Sequence, residues 1–204
     1  PTWLRRQRQM CIRDSRYPDT AMIDVVNEAH PNHAPANYAR NAYGNDWIAE
    51  VFKKARQFCP NAILIYNDYN FLTWQMEDIV NDVIRSALDQ GVIDAVGLQA
   101  HSWNEPKRWS AAEIKERLDY ITERTNVPIY ISEYDVEDLG MGDNYQLDVF
   151  REQFPVFYEH PNVVGVTLWG YVVGTTWRDG TGLIQSNGAH RPSMDWLMEY
   201  LGRQ

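Results

Sequence analysis

Five short apolar runs, separated by stretches of helical pattern, constrain this chain more than anything else in it. They are MIDVVN (22–27), AILIYN (62–67), VIDAVGLQA (92–100), VPIYIS (127–132) and VVGVTLWG (163–170), and their starts lie 40, 30, 35 and 36 residues apart. A strand with one wet face alternates apolar and polar residues; nearly continuous apolar runs suit parallel strands buried on both faces. The gaps carry helical spacing. Ile48, Phe52 and Ala55 share a face within 45–58, and Ile79, Val83 and Ala87 run beside Val80, Ile84 and Leu88 within 74–90. Ser110 and Glu113 form a capping box ahead of Ile114, Leu118 and Ile121. Pro192 suits the first position of a last helix that carries Met194, Leu197, Met198 and Leu201 and stops at Gly202.

Strand and helix alternating at this interval predict an α/β fold with a parallel sheet and crossover helices. Two architectures meet that description, a doubly wound sheet and a (β/α)8 barrel. No G-x-G-x-x-G follows any strand, which weighs against the dinucleotide-binding version of the former.

Every run ends in polar or aromatic residues. The first ends in Asn27–Glu28, the second in Asn67–Asp68–Tyr69–Asn70, the third in Gln99 and His101, the fourth in Glu133 and Asp135, and the fifth in Trp169. In a barrel such ends converge on one mouth, where the chemistry is kept. A carboxylate is costly to bury unless paired or needed, and two of these ends carry glutamates. Two carboxylates facing one cleft can split a glycosidic bond: one holds a proton for the leaving oxygen, the other is ionised and attacks or stabilises the sugar cation. Alternation along a strand puts Glu133 and Asp135 on one side with Tyr134 on the other, and likewise groups Gln99 with His101.

The motifs DVVNEA, YNDYN, GLQAH, YISEYDV and GVTLWG…TTWRDGTGLI, in that order from Asp24 to about Leu201, resemble the strand-end motifs of family 10 glycoside hydrolases, the retaining endo-β-1,4-xylanases. The resemblance implies a (β/α)8 TIM barrel of which this chain holds about five βα units, strands four to eight. It implies that Glu28 is the acid/base and Asn27 a sugar contact beside it. Glu133 would be the nucleophile, supported by His101 and Asp135. Gln99 would bind the reacting sugar, Trp169 and Trp177 would wall the glycone side, Tyr69 and Asn70 would lie toward the leaving group, and Arg178 near the cleft. Ile23 stands where the family usually has Trp, Ala100 where it usually has Gly, and Tyr134 where it usually has Leu.

The activity implied is hydrolysis of internal bonds of xylan with net retention. Two other readings stay open: a carbohydrate-binding remnant without turnover, and a related barrel glycosidase acting on β-1,4-glucan. No metal or organic cofactor is implied, since two carboxylates suffice. The partners expected are xylan or its oligosaccharides, with the intact enzyme monomeric and secreted or at the cell surface. A net charge of −9 weighs against nucleic acid and anionic membranes. No apolar run approaches the ~20 residues of a membrane span. Two cysteines, Cys11 and Cys59, make no disulfide framework. No signal peptide is visible, and residues 1–15, which include MCIRDS, read as a non-native or adaptor-derived leader ahead of a partial catalytic domain at 16–204. Five strands leave two edges, at 22–27 and 163–170, both apolar and without proline, so the chain alone is expected to be aggregated, molten or self-associated, with little or no activity.

Overall fold

The computed structural model describes residues 20–33, 37–102 and 109–203; the expected leader and Cys11 lie outside them. Its strands are β1 Met22–Asn27, β2 Ile63–Asp68, β3 Ala95–Leu98, β4 His101–Ser102, β5 Ile129–Val136 and β6 Val163–Leu168. All pairings are parallel, in the spatial order β1-β2-β3-β5-β6. The short β4 lies beside the C-terminal half of β5, with His101 opposite Asp135.

Four of the five expected runs form single strands within two residues of their predicted starts. The third does not. Ala100 adopts φ 52°, the left-handed region, which a strand cannot pass through. The run therefore breaks into β3 and β4, and Gln99 and His101 reach the site from either side of that turn.

The longer α-helices are α1 Asn37–Tyr43, α2 Trp47–Phe58, α3 Ala111–Thr125, α4 Asp143–Glu159 and α5 Pro192–Tyr200. In α3 the capping box is complete: the Ser110 hydroxyl accepts from the Glu113 amide at 3.3 Å, and the Glu113 carboxylate accepts from the Ser110 amide at 3.0 Å. Pro192 opens α5 as expected. The expected helix over 74–90 is instead interrupted by a π-turn at Ile79–Val83, where the Ile84 amide reaches back to the Ile79 carbonyl at 3.0 Å. Sequence pattern leaves α4 unassigned, and Pro155 within it removes a helix hydrogen bond. Packing outweighs that loss: Phe150, Phe154 and Phe157 are all buried, each worth about 1.5–3 kcal/mol.

Helix α4 also settles which way β5 faces. The Tyr134 ring meets Phe150 and Phe157 edge-on, each at 5.2 Å, and its hydroxyl donates to Gln153. Tyr134 is thus spent in the sheet–helix core, and alternation turns Glu133 and Asp135 to the opposite side. Burial across the sheet is uneven. Strands β2 and β3 are almost wholly buried, whereas the outer strands leave Met22 47% and Val164 54% exposed.

Candidate active site

Glu28 follows the last residue of β1 with φ 56°, a left-handed turn costing about 1–2 kcal/mol for a residue with a Cβ. The turn is held by the sheet, because the Glu28 amide donates to the Asn67 carbonyl at 2.8 Å. Glu133 sits within β5, so both glutamates lie toward the C-terminal ends of their strands. Asn67 joins them. Its Nδ2 donates to Asn27 Oδ1 and to Glu133 Oε1, each at 2.9 Å, while its Oδ1 accepts from Ser132 Oγ at 2.6 Å. Gln99 Nε2 donates to Glu28 Oε1 at 3.0 Å and approaches Asn27 Oδ1 at 3.4 Å. An unbroken chain of amides therefore runs from one glutamate to the other.

On the far side of Glu133 the contacts carry charge. His101 Nε2 lies 3.4 Å from Glu133 Oε2, and its Nδ1 lies 3.0 Å from Asp135 Oδ1. Burial opposes protonation of the imidazole, but hydrogen bonds to Asp135 and Glu133 and the charges of both outweigh it and raise its pKa to about 9. His101 is therefore an imidazolium at neutral pH, fixed between two carboxylates. Trp177 closes the group: its indole N–H donates to Asp135 Oδ2 at 2.5 Å, and its ring lies 4.9 Å from that of His101. More than half of Trp177 remains exposed, which leaves ring area for a flat ligand.

Tyr69 stands on the other flank. Its phenol pKa is raised by burial and by the charges of Asp68 and Glu28, which puts it within electrostatic reach of the first glutamate. Asn70 opens a short 3-10 turn, Asn70–Leu72, and its carbonyl accepts from the Thr73 and Gln75 amides. Trp169 is 44% exposed and tied by its backbone amide to the Tyr134 carbonyl. Arg178 pairs with Glu137 at 3.3 Å and lies over the Trp177 ring. The structure thus gathers Asn27, Glu28, Gln99, His101, Glu133, Asp135 and Trp177 into one network, with Tyr69 beside it. Trp169 and Arg178 stand in the loop after β6 without bonding either glutamate. A recess lined by Tyr69, Asn70, His101 and Arg117 borders this site, but neither glutamate lines it. Among the described residues no group of three or more His, Cys, Asp or Glu could hold a metal. No helix among them is long and apolar enough to cross a membrane.

Sequence reasoning overlooked Asn67, Ser132 and Gly97 as parts of this machinery. The available signal was Gly97 inside an apolar strand, which marks close approach by another group. Asn27, Asn67 and Gly97 lie in register across three strands, and a Cβ on Gly97 would stand 2.4 Å from Asn67 Oδ1. Asp24 was also passed over; burial and the charge of Glu133 raise its pKa.

The loop after β6 is anchored from below. Arg191, 4% exposed, donates to Asp138 and Asp143 and to the carbonyls of Gly180 and Gly182. Gln146 donates to the same two carbonyls and to that of Val136, and accepts from Ser193.

Against known proteins, the family model described as "Glycosyl hydrolase family 10" matches residues 13–200. The chain belongs to glycosyl hydrolase family 10. It is 54% identical to endo-1,4-beta-xylanase B of Cellvibrio japonicus over 209 residues, covering 97% of this chain and 33% of that protein. It is 31% identical to endo-1,4-beta-xylanase A of Caldicellulosiruptor saccharolyticus over 186 residues, covering 80% of this chain and 53% of that one. Among solved structures, a family 10 endoxylanase from a sugarcane soil metagenome superposes with a TM-score of 0.78 at 25% identity, covering 95% of this chain and 66% of that one. The chain thus spans from a third to about half of these curated relatives' length. The architecture is accordingly part of a family 10 TIM barrel, with its parallel strands and outer helices in the family's order.

Proposed function

We propose that this chain is the part of an endo-1,4-β-xylanase that carries both catalytic glutamates, acting on internal β-1,4-xylosidic bonds with net retention. The observation that carries this reading is the pair Glu28 and Glu133, on separate strands of one sheet and joined through Gln99, Asn27 and Asn67. The names of the family 10 relatives support xylan as the substrate.

The roles follow from what each carboxylate touches. Glu133 has one oxygen on the Asn67 amide and the other facing the His101 imidazolium, an environment that fixes its direction. It is the nucleophile. Glu28 has an amide partner and no cationic partner among the described residues, and we assign it the acid/base role. It protonates the leaving oxygen as Glu133 attacks, then draws a proton from water that opens the covalent glycosyl-enzyme. Trp177 offers a face to a sugar on the Glu133 side, with Trp169 and Arg178 further along the same loop, while Tyr69 and Asn70 stand toward the leaving group. A polymeric substrate of this size places the enzyme outside the cell, where we take the complete protein to act as a monomer.

The test is the stereochemistry and substrate range of the chain completed to the length of its relatives. Proton NMR of xylan hydrolysis should show the β-anomer first, with carboxymethylcellulose turned over far more slowly. An α-anomer as first product would exclude the double displacement, and a preference for cellulose would move the substrate to glucan.

A further inference from the structure

Asn67 bridges strands that are not neighbours. In the sheet, β2 and β5 are separated by β3, so their backbones lie two strand spacings apart, roughly 9–10 Å. Yet the buried Asn67 side chain donates to Glu133 Oε1 at 2.9 Å and accepts from Ser132 Oγ at 2.6 Å, both on β5. It reaches them across Gly97, its register partner on β3. A Cβ there would stand 2.4 Å from Asn67 Oδ1 and 3.1 Å from its Cγ. Gly97 does not have a positive φ, so space, not backbone conformation, calls for glycine: the crossing exists because residue 97 has no side chain. Ser132 and Glu133 are consecutive, and strict alternation would send them to opposite faces. They meet on one amide where the pairing of β5 with β6 slips, between Ile131 and Tyr134.

We propose that Ser132 is a positioning residue for the nucleophile: its hydroxyl holds the Asn67 amide in the gap at Gly97, and the amide in turn aims Glu133. The inference rests on the xylanase reading above, in which Glu133 attacks. Two acceptors, Glu133 Oε1 and Asn27 Oδ1, share the Asn67 NH2, and this requires the amide oxygen to point the other way, where Ser132 donates to it. Without that hydroxyl the buried oxygen loses the donor that satisfies it, and an unsatisfied buried acceptor is costly enough to make the amide turn or shift. The NH2 would then leave its place beside Glu133. A nucleophile displaced by a fraction of an ångström attacks more slowly. Asn67 is 1% exposed, so the effect passes through the aim of Glu133 and not through a contact with the sugar.

The experiment uses the chain completed to its relatives' length and the trapping reagent 2,4-dinitrophenyl 2-deoxy-2-fluoro-β-xylobioside. A Glu133 oxygen bonds the anomeric carbon as the bond to dinitrophenolate breaks. The phenolate leaves with the electron pair and needs no proton, so the labelling rate reads attack by Glu133 alone, without Glu28. Ser132→Ala is expected to lower the maximal labelling rate about ten-fold, with the half-saturating reagent concentration within about two-fold. Ser132→Thr, which keeps the hydroxyl, should recover most of the lost rate. Gly97→Ala should lose at least as much as Ser132→Ala, and removing the Ser132 hydroxyl should add nothing once Asn67 is Ala. An unchanged rate in Ser132→Ala, no recovery in Ser132→Thr, or full additivity with Asn67→Ala would each overturn the proposal. Should Gly97→Ala not fold, the two Ser132 variants decide the matter. A parent protein that the reagent does not label would instead overturn the xylanase reading, and the positioning role with it.

Discussion

The two glutamates are held in opposite ways. Glu133 lies on β5, which is paired on both sides, and it is flanked by an imidazolium and an amide. Glu28 follows the last residue of β1, stands on a left-handed turn, and among the described residues accepts from one neutral side-chain donor, Gln99. A nucleophile must arrive charged and aimed, so rigid and cationic surroundings serve it. A proton shuttle must visit both protonation states, and a fixed cation beside it would abolish one of them.

The contrast can be broken most severely at Glu133. Glu133→Ala is expected to abolish turnover of every glycoside tested, activated or not, because the covalent route is gone; steady-state assays with xylan and an aryl xylobioside check this. Glu28→Ala should lose ~10²–10⁴ on xylan and much less on a substrate with an acidic phenol leaving group, which departs without a proton. Equal losses on the two substrates would reverse the assignment of Glu28.

The cationic side can be probed by pH. The pKa of His101 is raised in the fold to about 9 from its ordinary 6.5, so its contribution to stability is fully present below about pH 6.5 and is lost as pH rises through about 9. Melting temperatures from pH 6 to pH 10 should fall more steeply in the parent than in His101→Asn. Parallel curves would mean that the imidazole carries no such charge.

The smallest effect concerns the turn between β3 and β4. Ala100 stands at φ 52°, where glycine is free of the Cβ penalty. Ala100→Gly should therefore stabilise by about 0.5–1 kcal/mol, read as a rise in melting temperature. A decrease would show that the methyl group's packing outweighs the strain.

Much of this was legible in advance, for reasons that differ by region. The strands were visible because burial on both faces demands unbroken apolar runs, and the two glutamates because they break those runs at their ends. Glu133 and Asp135 could be assigned a direction from alternation alone, and Tyr134 packed against α4 bears that out. The same logic failed between Gln99 and His101, because it assumed a continuous strand and Ala100 is left-handed there. Glycine, the family's usual residue at this place, would have warned of a turn where alanine does not. Asn67 was missed because an amide at a strand end looks like any polar terminus. Its importance lies in three side-chain partners on two other strands, β1 and β5, and no local pattern encodes that.

The clasp of Arg191 and Gln146 on the loop after β6 has a practical consequence. Trp169, Trp177 and Arg178 sit on a segment tied to the rest of the fold through Asp135, Glu137, Asp138, Asp143 and Gln146. A graft of residues 169–191 would therefore need Asp135, Glu137, Asp138, Asp143 and Gln146 in the recipient to hold it. Grafts that carry the tryptophans but leave these fastenings behind would import the wall without its hinges.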